Sequence, residues 1–463
     1  MAVSAAMFFY GTGLHPVWWL TWLAPLPLLL IASRVSRRFA FTATAAAWFI
    51  GSLNMWSYLL KVIAIPFWVV LTISLAPALL FGVAVLLFRR FVRRSAPWRA
   101  ALVFPAFWVS LEYLNNTTSP HGTFASLGYT QMNFLTVLQV ASLTGIWGIT
   151  FCVFLFPASI AALASKHASI IQKKRLAMGA LLFFVIVAAF GSWRLRATPE
   201  TAPAVKVGLM ATGAGTTFPH KDDTALELFR DYAGKLNVLS TQGAQLIILP
   251  EKIAVISDQA TGQLDSLYST AAAASKSSVL VGLDRGTATR RFNEARLYAS
   301  RGALLATYDK HHMVPVFEDV DVPGKTITVF DQPSGVWGIQ ICKDMDFPAL
   351  SREYGAQGVG LLLVPAWDFT VDGWLHGRMA ILRGVENGFT IVRAAKQGIL
   401  TVSDDRGRVL AEQDAATVRF ATLIAAAPVR HDNTLYTRWG DWFAWLNVAL
   451  LVGIVVSPLS KRR

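Results

Sequence analysis

The sequence predicts a molecule in two parts, a multi-helix transmembrane domain followed by an α/β layered domain. The chain of 463 residues is 54% hydrophobic and only 15% charged, with a mean hydropathy of +0.46. Soluble globular domains carry roughly 25% charged residues. The long apolar runs are crowded into residues 1–198 and the last stretch before the C-terminus. Between them, short β-rich runs alternate with helical ones, an order that places strands and helices in layers. Disorder is excluded, because apolar side chains are abundant enough to build a core.

A helix needs about 17–25 apolar residues to span roughly 30 Å of hydrocarbon. Residues 16–33, 39–60, 65–88, 100–114, 134–165, 176–193 and 442–456 are the candidate spans. The fourth is short, and the fifth holds Gly145, Gly148 and Pro157, so it is long enough to tilt or break. Residues 2–13 are apolar but too short to cross. They read as a partial first helix or the remnant of one, and not as a signal peptide, because no basic leader precedes them. The expected organisation is a transmembrane helical domain at 1–198, a soluble domain at 199–438, and a last helix with a basic tail at 439–463.

Charge sets the orientation. Residues 1–198 hold fifteen Lys or Arg and one acid, Glu112, whereas the rest of the chain holds 27 of each sign. Arg34, Arg37 and Arg38 follow the first span, Arg89, Arg90, Arg93, Arg94 and Arg99 the third, and Lys166, Lys173, Lys174 and Arg175 the fifth. Lys461, Arg462 and Arg463 close the chain. Alternate loops are poor in basic residues, which places the rich ones in the cytoplasm. The soluble domain then lies on the periplasmic or outer face of a bacterial inner (plasma) membrane, with the C-terminus cytoplasmic. The soluble half is neutral, so the high pI of the chain gives no reason to expect nucleic acid. Glu112 is a functional candidate as an ionisable group in a span, and equally a helix-packing one.

In the soluble half, residues 205–210, 245–250, 278–283, 295–300, 335–341, 358–365, 389–394 and 399–403 read as strands. Several are continuous apolar runs, as expected for strands covered on both faces. Residues 224–239, 262–275, 348–354 and 374–386 read as helices. No Gly-rich phosphate loop or zinc spacing is visible, and His311-His312 lacks partners at ligand spacing, so no cofactor or metal is expected.

Three polar residues end apolar runs: Glu251 after "LIILP", Lys310 after "LLATYD" and Cys342 after "GVWGIQI". One such residue alone is commonly a solvated strand terminus. Together they make a chemical set. A carboxylate can take a thiol's proton, and an ammonium can stabilise the thiolate and the oxyanion formed when it attacks an acyl carbon. The only two cysteines are Cys152, a small hydrophobe within an apolar span, and Cys342. An unpaired thiol in an exported domain risks oxidation and invites a catalytic explanation.

"LPEK", "YDKHHMVPVFE" and "GIQICKD" resemble the Glu-Lys-Cys triad of the carbon–nitrogen hydrolase (nitrilase) superfamily, whose fold is an α-β-β-α sandwich. With "FWVSLEYL", "ASLGYTQ" and "QVASLTGIWGITF" in the membrane half and "DDRGRVL" in the soluble half, most of the chain resembles the apolipoprotein N-acyltransferase family. The resemblance implies Glu251 as general base, Lys310 as oxyanion stabiliser, Cys342 as thioester-forming nucleophile, and Glu318 as a supporting acid. It implies ping-pong acyl transfer from a phospholipid to the N-terminal amine of a diacylglyceryl-cysteine apolipoprotein, with no cofactor. Trp367, Trp374 and His376 are candidates for the acyl pocket. Departures from the family are Lys343 and Asp344 after the cysteine and "VPAWDF" after the next strand. Lys343 reads as a solvated neighbour or a second cation acting on the thiol. A membrane-tethered amidase and a non-catalytic lipoprotein-binding protein remain the alternatives.

Overall fold

Proline and glycine divide the helical half more finely than its hydropathy suggests. The computed structural model describes residues 1–197, 202–213, 218–287 and 289–457, and the chain forms two compact units. The first comprises Met1–Thr118, Ala125–Ala197 and Trp439–Arg463, and the second Ser119–Phe124 and Thr198–Arg438. The basic cluster at 461–463 lies outside the described residues.

Among the described residues of the first unit, three helices are long and apolar enough to cross a membrane: Phe67–Arg93, Ile146–Leu163 and Ile170–Arg196. The expected span at 16–33 is instead two short helices, Trp18–Leu23 and Leu26–Ala32, interrupted at Pro25, which has no N–H to continue the ladder. The span at 134–165 also breaks. Gly145 takes φ +65° between Ala141–Thr144 and Ile146–Leu163, a conformation that costs glycine little. Residues 39–60 split into Arg37–Ser52 and irregular turns ending at Val62, and 100–114 lie within Pro97–Thr118. Residues 2–13 contain the short helix Ala2–Gly11, and Trp442–Val456 is a 15-residue apolar helix. Glu112 serves packing. Its carboxylate accepts from Ser126 Oγ, Leu127 N and Thr150 Oγ1, each at 2.8 Å, and so ties Pro97–Thr118 to its neighbours.

The second unit is built on two sheets. The strands are β1 (Ala204–Ala211), β2 (Leu246–Ile248), β3 (Val255–Ile256), β4 (Ser278–Gly286), β5 (Arg291–Tyr298), β6 (Leu304–Asp309) and β7 (Thr328–Gln332), followed by β8 (Gly335–Ile339), β9 (Leu361–Trp367), β10 (Thr390–Lys396), β11 (Ile399–Ser403), β12 (Val409–Asp414) and β13 (Ala421–Pro428). One sheet runs β13-β1-β2-β4-β5-β6, with β3 beside β4, and the other runs β12-β11-β10-β9-β8-β7. Strand alternation decides which faces meet. Val207, Leu209, Leu246, Ile248 and Leu280 join Ile339, Leu361, Leu363 and Ile391 in one core between the sheets. Met210, Ile247, Leu249, Val279 and Val281 point the other way, under the helices Asp222–Gly234 and Thr261–Ser275. The second sheet carries Pro348–Ala356 and Gly373–Asn387 on its outer side. The layers are therefore α-β-β-α. Each fully buried aliphatic side chain in these cores contributes about 1.5–3 kcal/mol.

Three strand boundaries bear on chemistry. The strand expected at 295–300 begins earlier, so β5 includes Asn293. The strand expected to end at Pro365 continues to Trp367, and the one expected to end at Ala394 continues to Lys396.

Candidate active site

Each polar residue that ends an apolar run is delivered by a different strand. Glu251 follows β2, Lys310 follows β6 directly, and Cys342 follows β8, so two come from one sheet and one from the other. Glu251 Oε1 accepts from Lys310 Nζ at 2.8 Å and from Asn293 Nδ2 at 2.6 Å. Glu318 Oε2 accepts from Lys310 Nζ at 2.8 Å and from Val314 N at 2.7 Å, and its Oε1 accepts from Asn293 Nδ2 at 2.8 Å. Lys310 is thus held between two carboxylates that share one asparagine. All four side chains are buried.

The network fixes the charge states. Burial works against the Lys310 ammonium, but Glu251 and Glu318 outweigh it and raise its pKa well above the ordinary lysine value. Burial also works against the Glu318 carboxylate, but Lys310 and Lys252 overcome it and draw the pKa down to about 2. Lys252, with its Nζ 2.9 Å from Glu318 Oε1, also pairs with Asp321.

Cys342 stands at φ +44°, at the start of the turn Cys342–Asp346. Left-handed backbone on a non-glycine residue costs of order 1–3 kcal/mol and clusters at functional sites. Sγ donates to the Trp367 carbonyl at 3.5 Å. Burial, and after it the Glu251 charge, push the thiol's pKa well up; Lys310 and Arg393 oppose this without reversing it. The resting sulfur is therefore a thiol. A proton must leave as the sulfur reacts, which calls for the carboxylate as well as the ammonium.

The departures from the family pattern have structural places. Asp344 is wholly buried and accepts from Tyr308 Oη at 2.6 Å and from the N–H groups of Ile341, His311 and His312. It fastens the cysteine turn to the loop that follows Lys310. Lys343 is not solvated. It is 7% exposed, and its Nζ lies 3.1 Å from Asp346 Oδ2 and 3.5 Å from His121 Nδ1. Trp367 meets the site through its carbonyl, and its indole N–H donates to Gln397 Oε1 at 2.9 Å. Trp374 and His376 occupy the first turn of Gly373–Asn387. The Trp374 ring carries the Arg378 guanidinium at 5.2 Å, and His376 Nε2 is 3.2 Å from Asp372 and stacks on Phe124. Burial disfavours the imidazolium, but Asp372 outweighs it and raises the His376 pKa to about 9.

Several partners escaped sequence reasoning. Asn293 had one legible signal, an amide inside the β-patterned run "RFNEARLY". The buried pair of Arg393 with Asp368, with bonds of 2.9 and 2.5 Å, had none. Among the described residues, no group of three or more His, Cys, Asp or Glu side chains is disposed to hold a metal ion.

Residues 4–159 match the family model described as apolipoprotein N-acyltransferase N-terminal domain, and residues 210–428 match that described as carbon–nitrogen hydrolase. The apolipoprotein N-acyltransferase of Geobacter metallireducens is 28% identical in an alignment covering 100% of this chain and 94% of that protein. The chain is by sequence a relative of the apolipoprotein N-acyltransferases. The apolipoprotein N-acyltransferase of Bradyrhizobium diazoefficiens is 27% identical over 84% of this chain and 78% of its own. Among solved structures, an amidase from Nesterenkonia sp. is 23% identical, with a TM-score of 0.43, covering 54% of this chain and 98% of that one.

Proposed function

We propose that this chain is a membrane-bound N-acyltransferase of lipoprotein maturation, with Glu251, Lys310 and Cys342 as its reacting groups. Glu251 takes the Sγ proton as sulfur attacks the ester carbonyl of a phospholipid, and the Lys310 ammonium stabilises the oxyanion. The C–O bond then breaks, the departing glyceryl oxygen receives the proton from Glu251, and the acyl group remains on Cys342 as a thioester. In the second half, the α-amine of an N-terminal diacylglyceryl cysteine attacks the thioester. Its proton passes through Glu251 to the departing sulfur. Glu318 holds Lys310 in place throughout, and Trp367 borders the acyl path, with Trp374 and His376 further along it.

The observation that carries this reading is the buried Glu251–Lys310–Glu318 network acting on a thiol that is protonated at rest. Relatives named apolipoprotein N-acyltransferases supply the direction of transfer. The helical half supplies a physical reason for it. On Ile170–Arg196, Ile171, Met178, Leu181, Leu182, Val185 and Ile186 are each more than half exposed, a surface suited to lipid. Both proposed substrates are anchored in a bilayer, and extracting one costs about 0.8 kcal/mol per buried methylene. A tethered enzyme avoids that cost. The arrangement of basic residues supports a multi-pass protein of the inner membrane with its catalytic half facing outward.

The test is a reaction of the purified full-length protein with phospholipid and a diacylglyceryl-cysteine peptide, followed by mass spectrometry. Triacylated peptide is expected. Free fatty acid without triacylated peptide would replace transfer with hydrolysis, and no turnover at all would leave a binding protein.

A further inference from the structure

β10 ends on a buried lysine that the roles above leave unused. Lys396 pairs in register with Trp367 of β9 and is 6% exposed. Its Nζ lies 3.4 Å from the centre of the Trp367 ring and 4.8 Å from that of Phe218, and it donates to the Lys252 carbonyl. Among the described residues it forms no ion pair. An ammonium taken from water without a carboxylate partner is costly by several kcal/mol, and two ring faces and one carbonyl offset only part of that.

Its surroundings give the lysine a place in the chemistry. Lys252, whose carbonyl it holds, follows Glu251 and stands at φ +44°. The strand beneath it ends in two carbonyls that meet the site, Ala366 O at 3.3 Å from Glu251 N and Trp367 O at 3.5 Å from Cys342 Sγ. One amine therefore braces the turn that carries Glu251 and lies on the strand end that touches Cys342.

We propose that Lys396 is a further positioning residue of the reaction, acting through the turn that carries Glu251: charged, it restrains that carboxylate, and neutral, it releases it. The proposal rests on the reading of Glu251 as base. The titratable groups that face Lys396 are Glu251 and Lys252 from the turn after β2 and Asp284 from β4. Trp367 and Phe218 contribute rings, with His220 against the Phe218 ring at 4.9 Å. Burial is the largest influence and lowers the Lys396 pKa; Glu251 opposes it, and the balance is about 7. Below that pH the ammonium restrains Glu251, and above it the restraint is lifted. Formation of the acyl-enzyme should rise with pH through about 7.

The experiment follows acylation of Cys342 by intact mass on the full-length protein, in vesicles of phosphatidylethanolamine and phosphatidylglycerol, from pH 5.5 to 8.5. Wild type, Lys396→Met and Lys396→Arg are compared. The wild-type rate should rise severalfold through neutrality. Lys396→Met should stay near the upper plateau with no step, and Lys396→Arg, permanently charged, should stay near the lower one. These opposite displacements are not the signature of a merely structural residue. If Lys396→Met does not fold, the arginine variant decides alone. A step that survives in either variant, or an equal loss in both with the profile unchanged, overturns the proposal and passes the titration to another group, Asp284 first. A wild type that is never acylated fails the underlying reading instead, and this proposal with it.

Discussion

Cys342 is prepared by its backbone as much as by its neighbours. At φ +44° it heads a turn that Asp344 ties to the lysine loop. Cys342→Ala should lower turnover at least about a thousandfold, the scale seen when a nucleophile is removed, while membrane insertion is unchanged. Residual peptide acylation above about 10% of wild type, far outside that range, would dismiss Cys342 as nucleophile. Lys310→Ala removes the cation between Glu251 and Glu318, and breaking a buried pair in this way costs about 3–5 kcal/mol. A melt should show that loss together with the loss of activity. The Glu318 carboxyl is held below its ordinary 4.5, at about 2, so its contribution to stability is full above 4.5 and is lost as pH falls toward 2. Glu318→Gln should flatten that part of the stability profile in denaturant melts between pH 2 and 5. Glu251, Lys310 and Cys342 stood out in the sequence because a charged or thiol group ended an apolar run, and Glu318 only through the family resemblance. Asn293 did not. Its role arises only when β5 aligns with β6 and Lys310 N donates to Asn293 O at 2.9 Å.

Elements buried on both faces were legible, and exposed ones were not. β2, β4, β9 and β10 read as strands because their residues are almost all apolar and buried. β6 and β12 are largely exposed, so alternation is weak, and the alanines of β13 read poorly as a strand although pairing with β1 makes them one. In β10 the strand expected to end at Ala394 runs on to Lys396. Pairing with Trp367 buries it. A shorter element went unrecognised: Ser119–Phe124 belongs with the two-sheet unit. There Thr123 donates from N and Oγ1 to Asp346 O at 3.0 and 2.8 Å, at the end of the cysteine turn. Gly122 has φ +51°, and a Cβ on it would lie 2.4 Å from Asp346 O. Gly122→Ala should displace that turn and slow labelling of Cys342 by iodoacetamide severalfold, with Thr123→Val giving a smaller effect. Unchanged labelling in both would show that this segment does not support Cys342.

At the scale of the whole chain, hydropathy marked the division into a helical and an α/β part, and Pro25 and Gly145 decided what it could not, namely where long apolar stretches break. The topology proposed from the basic clusters can be checked by labelling. With Cys342 replaced by alanine, cysteine at the exposed position Glu227 should react with an impermeant maleimide in intact spheroplasts, and cysteine at the exposed Arg94 should react only after lysis. The reverse pattern would turn the α/β half toward the cytosol. The most direct measurement is intact-protein mass spectrometry after incubation with phospholipid of known chain length. A mass gain equal to one acyl chain, located on Cys342 and removed by neutral hydroxylamine, is the expected result. A wild-type protein that gains no such adduct, or one whose adduct persists in Cys342→Ala, contradicts the thioester route.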